Sequence, residues 1–286
     1  MPPFALFAVL LASATHATWN LFAKRAAGSR HFVWLYSVGS VALYLPIVLW
    51  ILSTDRPHWG REQWVALCGT SVFHLGYSLV LQAGYRASDL SLVYPLARGS
   101  GPLLSFAGAV LFLGERLTWL AALGVASVVS GIALVAGLIR QPHRAPRAGV
   151  FYGLLTGVFI ACYTLNDGWA VKELGIPPVL IDFTGNLVRI LVLTPFALRG
   201  RSTLREELRR YGTAAAVVSV LGPVGYILVL YAMRVAPISH VAPARELATL
   251  LGAYFGSRLL REGAVPERLV GAALIVVGVV SLASAQ

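Results

Sequence analysis

Acidic residues, cysteines and long polar connectors are scarce in this chain, and each shortage excludes a class of protein. Only 12 of the 286 residues are Asp or Glu, and charged residues make up 12% in total, which is too little polar surface to cover a soluble globule of this length. Cys68 and Cys162 are too few for a disulfide framework or a metal cluster. We expect buried thiols, no metal and no cofactor.

Hydrophobic residues make up 57% of the chain. A spanning helix needs about 20 mainly apolar residues, and stretches of that kind fill the chain between short loops. We predict an all-α, multi-pass protein of the inner cell membrane with ten transmembrane helices at 4–23, 32–52, 64–85, 90–113, 119–138, 149–171, 179–198, 213–233, 238–260 and 266–284. The Arg-rich segment 199–211 predicts a short surface helix.

An internal repeat divides these spans into two sets of five. Four residues of the first half, Arg98, Glu115, Gly124 and Gly131, recur 147 positions later as Arg245, Glu262, Gly271 and Gly278. Because five is odd, the second copy enters the membrane the opposite way up, which is the inverted repeat of many transporters. We predict a first repeat at 1–140, a linker at 141–148 and a second repeat at 149–286. The repeated glycines predict close packing of the fifth and tenth spans.

The net charge of +11 is compatible with binding to nucleic acid or to a membrane surface. The basic residues lie mainly in short loops beside apolar spans, where anionic lipid headgroups attract them. We therefore expect the lipid bilayer as a partner and no nucleic acid. We expect a monomer, with a dimer left open.

Polar residues inside the spans are the candidates for function, because burying charge in a bilayer is costly. His16, Asn20 and Lys24 recur every four residues and share one helical face. His16 and Asn20 are expected to line a substrate cavity, although helix-to-helix hydrogen bonds are the alternative. Lys24 is expected to extend to the headgroups.

The third span carries a second polar face, with Ser71, His74 and Ser78 at spacings of three and four. Tyr77 lies beside it and corresponds to Tyr226 in the second repeat. We expect His74, Tyr77 and Tyr226 to face the same cavity as His16. For His74, a hydrogen bond between helices is equally compatible with the pattern.

Arg98 and Arg245 are equivalent in the repeat, and each follows a proline, Pro95 and Pro243. Proline interruptions of a spanning helix are frequent at transporter sites. Since arginine binds carboxylate or phosphate with two parallel hydrogen bonds, the pair predicts a substrate with an anionic group. The alternative is a structural ion pair with Glu246.

Asp167 and Glu246 are the deep carboxylates of the predicted spans. If protons drive transport, a buried carboxylate can carry them, so both are proton-coupling candidates. Asp182 follows Pro178 closely, and N-terminal capping of the seventh helix explains it more simply.

The chain resembles the EamA-type members of the drug/metabolite transporter superfamily. The resemblance rests on the segment from His16 to Asn20 followed by Lys24, on the proline-bearing fourth span, on the segment 114–118 and on the glycine-spaced fifth span. The last three of these features are repeated in the second half. It implies ten helices around a central cavity and movement of metabolites, often outward, without nucleotide hydrolysis.

These features predict a secondary transporter, an exporter of a small polar or anionic metabolite such as an amino acid or organic acid. Zinc-binding, phosphate-binding and nucleophile-elbow motifs are missing from the sequence, so we do not expect an enzyme. A membrane-embedded enzyme acting on a lipid or its headgroup, and a membrane scaffold, are the rival interpretations.

Overall fold

A computed structural model describes residues 3–55, 59–113, 118–135, 146–199, 201–235, 247–262 and 265–284. These residues form ten α-helices, one π-helical turn and no strands. The helices are α1 (Pro3–Arg25), α2 (Phe32–Thr54), α3 (Arg61–Ala87), α4 (Leu90–Leu113), α5 (Trp119–Val135), α6 (Arg147–Lys172), α7 (Pro178–Arg199), α8 (Arg201–Val235), α9 (Leu247–Tyr254) and α10 (Val265–Ser284). The π-helical turn, Phe255–Leu259, continues α9.

Within the described residues, six helices (α1, α2, α3, α6, α7 and α8) are long and apolar enough to cross a membrane. The outer surface of the bundle is apolar. Leu49, Phe151 and Leu191 are 57%, 60% and 64% exposed, whereas polar residues such as Asn20 and Asp167 are fully buried. Large apolar side chains on the outside suit a lipid environment rather than water.

Where the structure describes them, the ends of the predicted spans agree with the helices to within a few residues, except at the start of α8. Residues 136–138 of the fifth predicted span and 238–246 of the ninth lie outside the described residues. The segment 199–211 was predicted to form a separate surface helix, but residues 201–211 are the beginning of α8, which runs unbroken for 35 residues. Between Arg201 and Pro223 the weakest helix formers are the two glycines, Gly212 and Gly222, and each costs about 1 kcal/mol. The prolines Pro95 and Pro102 likewise leave α4 helical throughout.

Helices α5 and α10 pack with their backbones in contact. A Cβ atom on Gly131 would lie 2.6 Å from the carbonyl oxygen of Gly271, and one on Gly124 would lie 2.9 Å from that of Gly278. The predicted close packing through glycines is therefore confirmed. Because Gly124 meets Gly278 and Gly131 meets Gly271, the two helices run in opposite directions.

The helix pairs follow the repeat. Helix α1 packs on α8, and α6 packs on α3. The repeat relates α1 to α6 and α3 to α8, so these two pairs are equivalent. By the same rule α2 packs on α7 and α5 on α10, and these two pairs map onto themselves. The second half of the chain therefore repeats the helix contacts of the first.

One end of the bundle, here called the Lys24 face, contains Lys24 and two carboxylate-capped helix N termini. Glu207 accepts hydrogen bonds from the backbone N–H groups of Arg30 (3.2 Å) and His31 (3.0 Å). Glu262 accepts them from Leu90 and Ser91, both at 2.8 Å. Each carboxylate thus satisfies donors that begin another helix.

Two other sequence expectations are corrected here. The Lys24 ammonium does not extend to the headgroups but donates to the carbonyl oxygens of Tyr85 (2.7 Å) and Ser88 at the end of α3. The C terminus of a helix attracts a cation, which explains this placement. Cys68 is exposed and Cys162 is partly exposed, so neither is a fully buried thiol.

Candidate functional site

A cavity lies midway along the bundle between α1, α2, α3, α6, α7 and α8. It holds about 520 Å³ of empty space, including the part that opens to the surroundings. Its walls are formed by His16, Trp19, Tyr36, Ser40, His74, Tyr77, Ser78, Tyr163, Asp182, Asn186, Arg189, Val218, Gly222, Pro223 and Tyr226. Rings and polar groups dominate this lining, unlike the outer surface.

Helix α7 supplies the charged wall of the cavity. Asp182, Asn186 and Arg189 line it at spacings of four and three, which places them on one helical face. Asn186 Nδ2 donates to Asp182 Oδ2 at 2.9 Å. Asn186 is 2% exposed, and its side-chain oxygen has no hydrogen-bond partner in the described residues. A buried acceptor without a partner is unfavourable, so it can accept a donor from a ligand.

The Arg189 side chain runs back along α7. Its Nε donates to the carbonyl oxygen of Gly185 at 3.3 Å, and one terminal nitrogen donates to the Tyr36 hydroxyl at 3.1 Å. The guanidinium carbon lies 5.7 Å from the centre of the Tyr36 ring. Arg189 is 6% exposed and makes no ion pair within 4.0 Å with the described residues. It therefore presents a buried positive charge to the cavity, with Asp182 within electrostatic reach.

Four aromatic rings enclose the opposite wall. The His74 ring stacks on Tyr163 with centroids 4.3 Å apart, and it meets the edge of Tyr226 at 5.1 Å. Tyr77 packs against Tyr163 at 5.5 Å. These contacts fix the imidazole of His74 between α6 and α8.

Asp167 lies behind this wall, fully buried in α6. Its Oδ2 accepts hydrogen bonds from His74 Nε2 at 2.9 Å and from the Tyr226 hydroxyl. Its Oδ1 accepts one from Asn166 Nδ2 at 2.9 Å. Among the described residues, all three partners of this carboxylate can act as donors, and the Asn166 amide and the Tyr226 hydroxyl favour its ionised form.

The structure brings part of the predicted set together. His16, His74, Tyr77 and Tyr226 line the cavity. Asn20 does not, because it is fully buried with its amide on the carbonyl oxygen of His16 (2.7 Å) and its oxygen on the Tyr85 hydroxyl (2.5 Å).

Arg98 is placed differently from the expectation, and Arg245 is not tested. Arg98 is 4% exposed in α4 and is outside the lining, although it acts electrostatically on Tyr77. Arg245 and Glu246 lie outside the described residues.

Arg189, Asn186 and Asp182 were not among the predicted site residues. The capping explanation for Asp182 is wrong, since it is the fifth residue of α7 and its carboxylate accepts from Asn186. The usable signal was three polar residues on one face of an apolar helix, the same pattern that identified His16.

Comparison with known proteins gives three findings. The model of the EamA-like transporter family matches residues 3–137 and again 147–284. A probable terminal-alkyne amino-acid exporter of Streptantibioticus cattleyicolor is 28% identical over 258 residues, which cover 85% of this chain and 80% of that protein. A protein of solved crystal structure is 15% identical with a TM-score of 0.62, covering 97% of this chain and 98% of the other. The last similarity shows a shared fold alone.

Proposed function

We propose that this chain, which belongs to the EamA-like transporter family and is thus a multi-pass membrane transport protein, is an exporter. Its proposed substrate is a small metabolite with a carboxylate group, foremost an amino acid. The substrate binds in the central cavity and moves by alternating access, without nucleotide hydrolysis. The cell (inner) membrane is the proposed location, and the monomer the proposed unit, without nucleic acid or cofactor.

The observation that carries this proposal is the environment of Arg189. A buried arginine is retained in a membrane protein where a partner offsets its charge, yet Arg189 has only neutral hydrogen-bond partners among the described residues. A carboxylate in the cavity can supply the missing charge and accept from the planar guanidinium. Arg189 thereby takes the role that the sequence assigned to Arg98 and Arg245.

The other end of the charged wall favours an amino acid over a simple organic acid. Asp182 and the free oxygen of Asn186 are both acceptors, and both line the cavity. An ammonium group can donate to them while the carboxylate of the same molecule meets Arg189. The relative in Streptantibioticus cattleyicolor, an amino-acid exporter by name, supports this choice.

Alternating access would use two inverted five-helix halves and ten spanning helices. The antiparallel contact of α5 with α10 supports a pseudo-two-fold axis between the halves, as does the pairing of α1 with α8 and of α6 with α3. His16, His74, Tyr77 and Tyr226 then form the aromatic wall. Asn20 and Arg98 support that wall from behind, and Arg245, which lies outside the described residues, stays a predicted substrate contact.

A counterflow assay tests the proposal. Purified protein is placed in liposomes preloaded with the proteinogenic amino acids, L-propargylglycine, succinate and malate, and exchange with isotope-labelled external compound is followed by mass spectrometry without ATP. We expect exchange of chemically unchanged amino acids. A membrane-embedded enzyme, the rival function, would give a chemically altered product, and exchange of none of these compounds would refute the proposed substrate class.

A further inference from the structure

His74 connects the cavity with a buried carboxylate that the cavity does not reach. His74 lines the cavity, while Asp167 lies behind it and accepts from His74 Nε2 at 2.9 Å. Because an ionised carboxylate only accepts, the hydrogen on Nε2 belongs to the imidazole. The other ring nitrogen, Nδ1, has no hydrogen-bond partner in the described residues and is available to a proton from the cavity.

We propose that His74 is the proton-binding site of this transporter and that Asp167 is its counter-charge, so that a proton and the substrate exchange across the membrane. This inference rests on the proposed function. The proton adds to Nδ1, Nε2 keeps its own proton toward Asp167 Oδ2, and the pair changes from net negative to neutral. No other atom changes its bonds.

The Asp167 carboxylate stabilises the protonated form of His74 in a buried site. An isolated imidazolium is strongly disfavoured away from water, whereas one beside an anion at hydrogen-bond distance is not. Asp167 is held in place by Tyr226 and Asn166, which donate to its two oxygens. The neighbouring groups therefore fix the anion that faces the ring.

The repeat shows that this carboxylate is a feature of one half only. Asp167 lies 147 positions after Asn20, the same offset that relates Arg98 to Arg245. Asn20 accepts from the Tyr85 hydroxyl at 2.5 Å and carries no charge. A neutral amide thus suffices to join helices at this position, and packing alone does not require the acid of the second copy.

The charges around His74 give the direction of coupling. The titratable and charged groups that face it from the packed helices are Tyr77 of its own helix, Tyr163 and Asp167 of α6, Asp182 and Arg189 of α7, and Tyr226 of α8. A proton on His74 adds positive charge opposite the acceptors proposed for the substrate ammonium. Proton and substrate therefore exclude each other, which is the requirement for antiport.

The test compares exchange with gradient-driven uptake in proteoliposomes. The external probe is the mixture of proteinogenic amino acids with L-propargylglycine, and a trapped pH dye reports interior pH. With an interior about one pH unit more acidic, the natural protein should accumulate substrate up to about tenfold for each proton exchanged, while the interior becomes more alkaline. Asp167→Asn should retain counterflow at equal pH, but under the pH gradient it should not accumulate substrate above the external concentration. Asp55→Asn, at an exposed helix end, should behave as the natural protein.

Each other result overturns the inference. Accumulation by Asp167→Asn, or exchange by the natural protein without a response to the gradient, removes the coupling role and leaves the proposed function intact. Absence of both exchange and accumulation in the natural protein refutes both proposals. If Asp167→Asn does not elute as the natural protein on size exclusion, Asp167→Ser, which also removes the carboxylate behind the cavity wall, takes its place. A folded variant that loses counterflow as well assigns the pair to substrate binding instead.

Discussion

The Ser127 hydroxyl donates a hydrogen bond of 2.8 Å to the carbonyl oxygen of Leu274, a residue 147 positions later. That separation is the repeat offset, so the two residues occupy the same position in the two copies. Equivalent positions can meet only close to the axis that relates the copies. The α5–α10 contact is therefore one of the places where the two halves of the chain meet, beside the pairs α1–α8, α3–α6 and α2–α7.

The tightness of this contact predicts a sharp response to a single methyl group. Gly131→Ala should lower the free energy of unfolding by about 1–3 kcal/mol, because its Cβ would press on the Gly271 backbone, which cannot move aside. Thermal melting in detergent measures it. Gly168→Ala is the matched control, since nothing lies within 4 Å of its Cβ, and an equal loss in both variants would contradict the close packing.

Arg189 is predicted to control substrate affinity. Arg189→Ala should raise the substrate KM roughly 30-fold or more, because truncating one partner of a buried charge pair costs about 2–5 kcal/mol and each 1.4 kcal/mol is tenfold. Arg189→Lys should recover only part of it, since lysine keeps the charge but lacks the planar fork. Arg205→Ala, at an exposed position of α8, is the control. Unchanged KM in Arg189→Ala would remove this residue from the binding site.

Two neighbouring glutamates of α8, Glu206 and Glu207, are predicted to differ in their contribution to stability. Glu207→Gln should lose about 1–3 kcal/mol of stability, because hydrogen bonds from Ser29, Arg30 and His31 then meet a neutral acceptor. Glu206→Gln, one residue earlier and exposed, should melt like the natural protein. Equal melting temperatures for the two variants would show that the carboxylate cap contributes nothing.

Water access to the cavity can be measured with thiol chemistry. In a protein with Cys68→Ser and Cys162→Ser, Gly222→Cys should react with a membrane-impermeant thiol reagent, because Gly222 lines the cavity and its nearest neighbour, Val218, is 4.0 Å from the added Cβ. Substrate should protect it. Val229→Cys, two turns further along α8 and 1% exposed, should stay unmodified, and the reverse pattern would place the water path elsewhere.

The sequence by itself determined the helices, the duplication and the apolar exterior. Each of these follows from local chemistry: about 20 apolar residues suffice for a span, and a constant offset of 147 positions needs only the order of the residues. The glycine contact of α5 with α10 was also predictable, because glycines every seven residues keep one helical face open to a neighbour.

Tertiary structure decided which polar residues share the cavity. Asn20 and His16 lie on one face of α1, yet Asn20 accepts a hydrogen bond from Tyr85 of α3 and lies outside the cavity, while His16 is part of the cavity wall. Arg189 faces the cavity without an ion pair within 4.0 Å among the described residues, because α2 brings the neutral Tyr36 hydroxyl to its guanidinium. The packing of one helix on another depends on contacts between residues far apart in the chain, and the spacing of residues along a single helix does not predict those contacts.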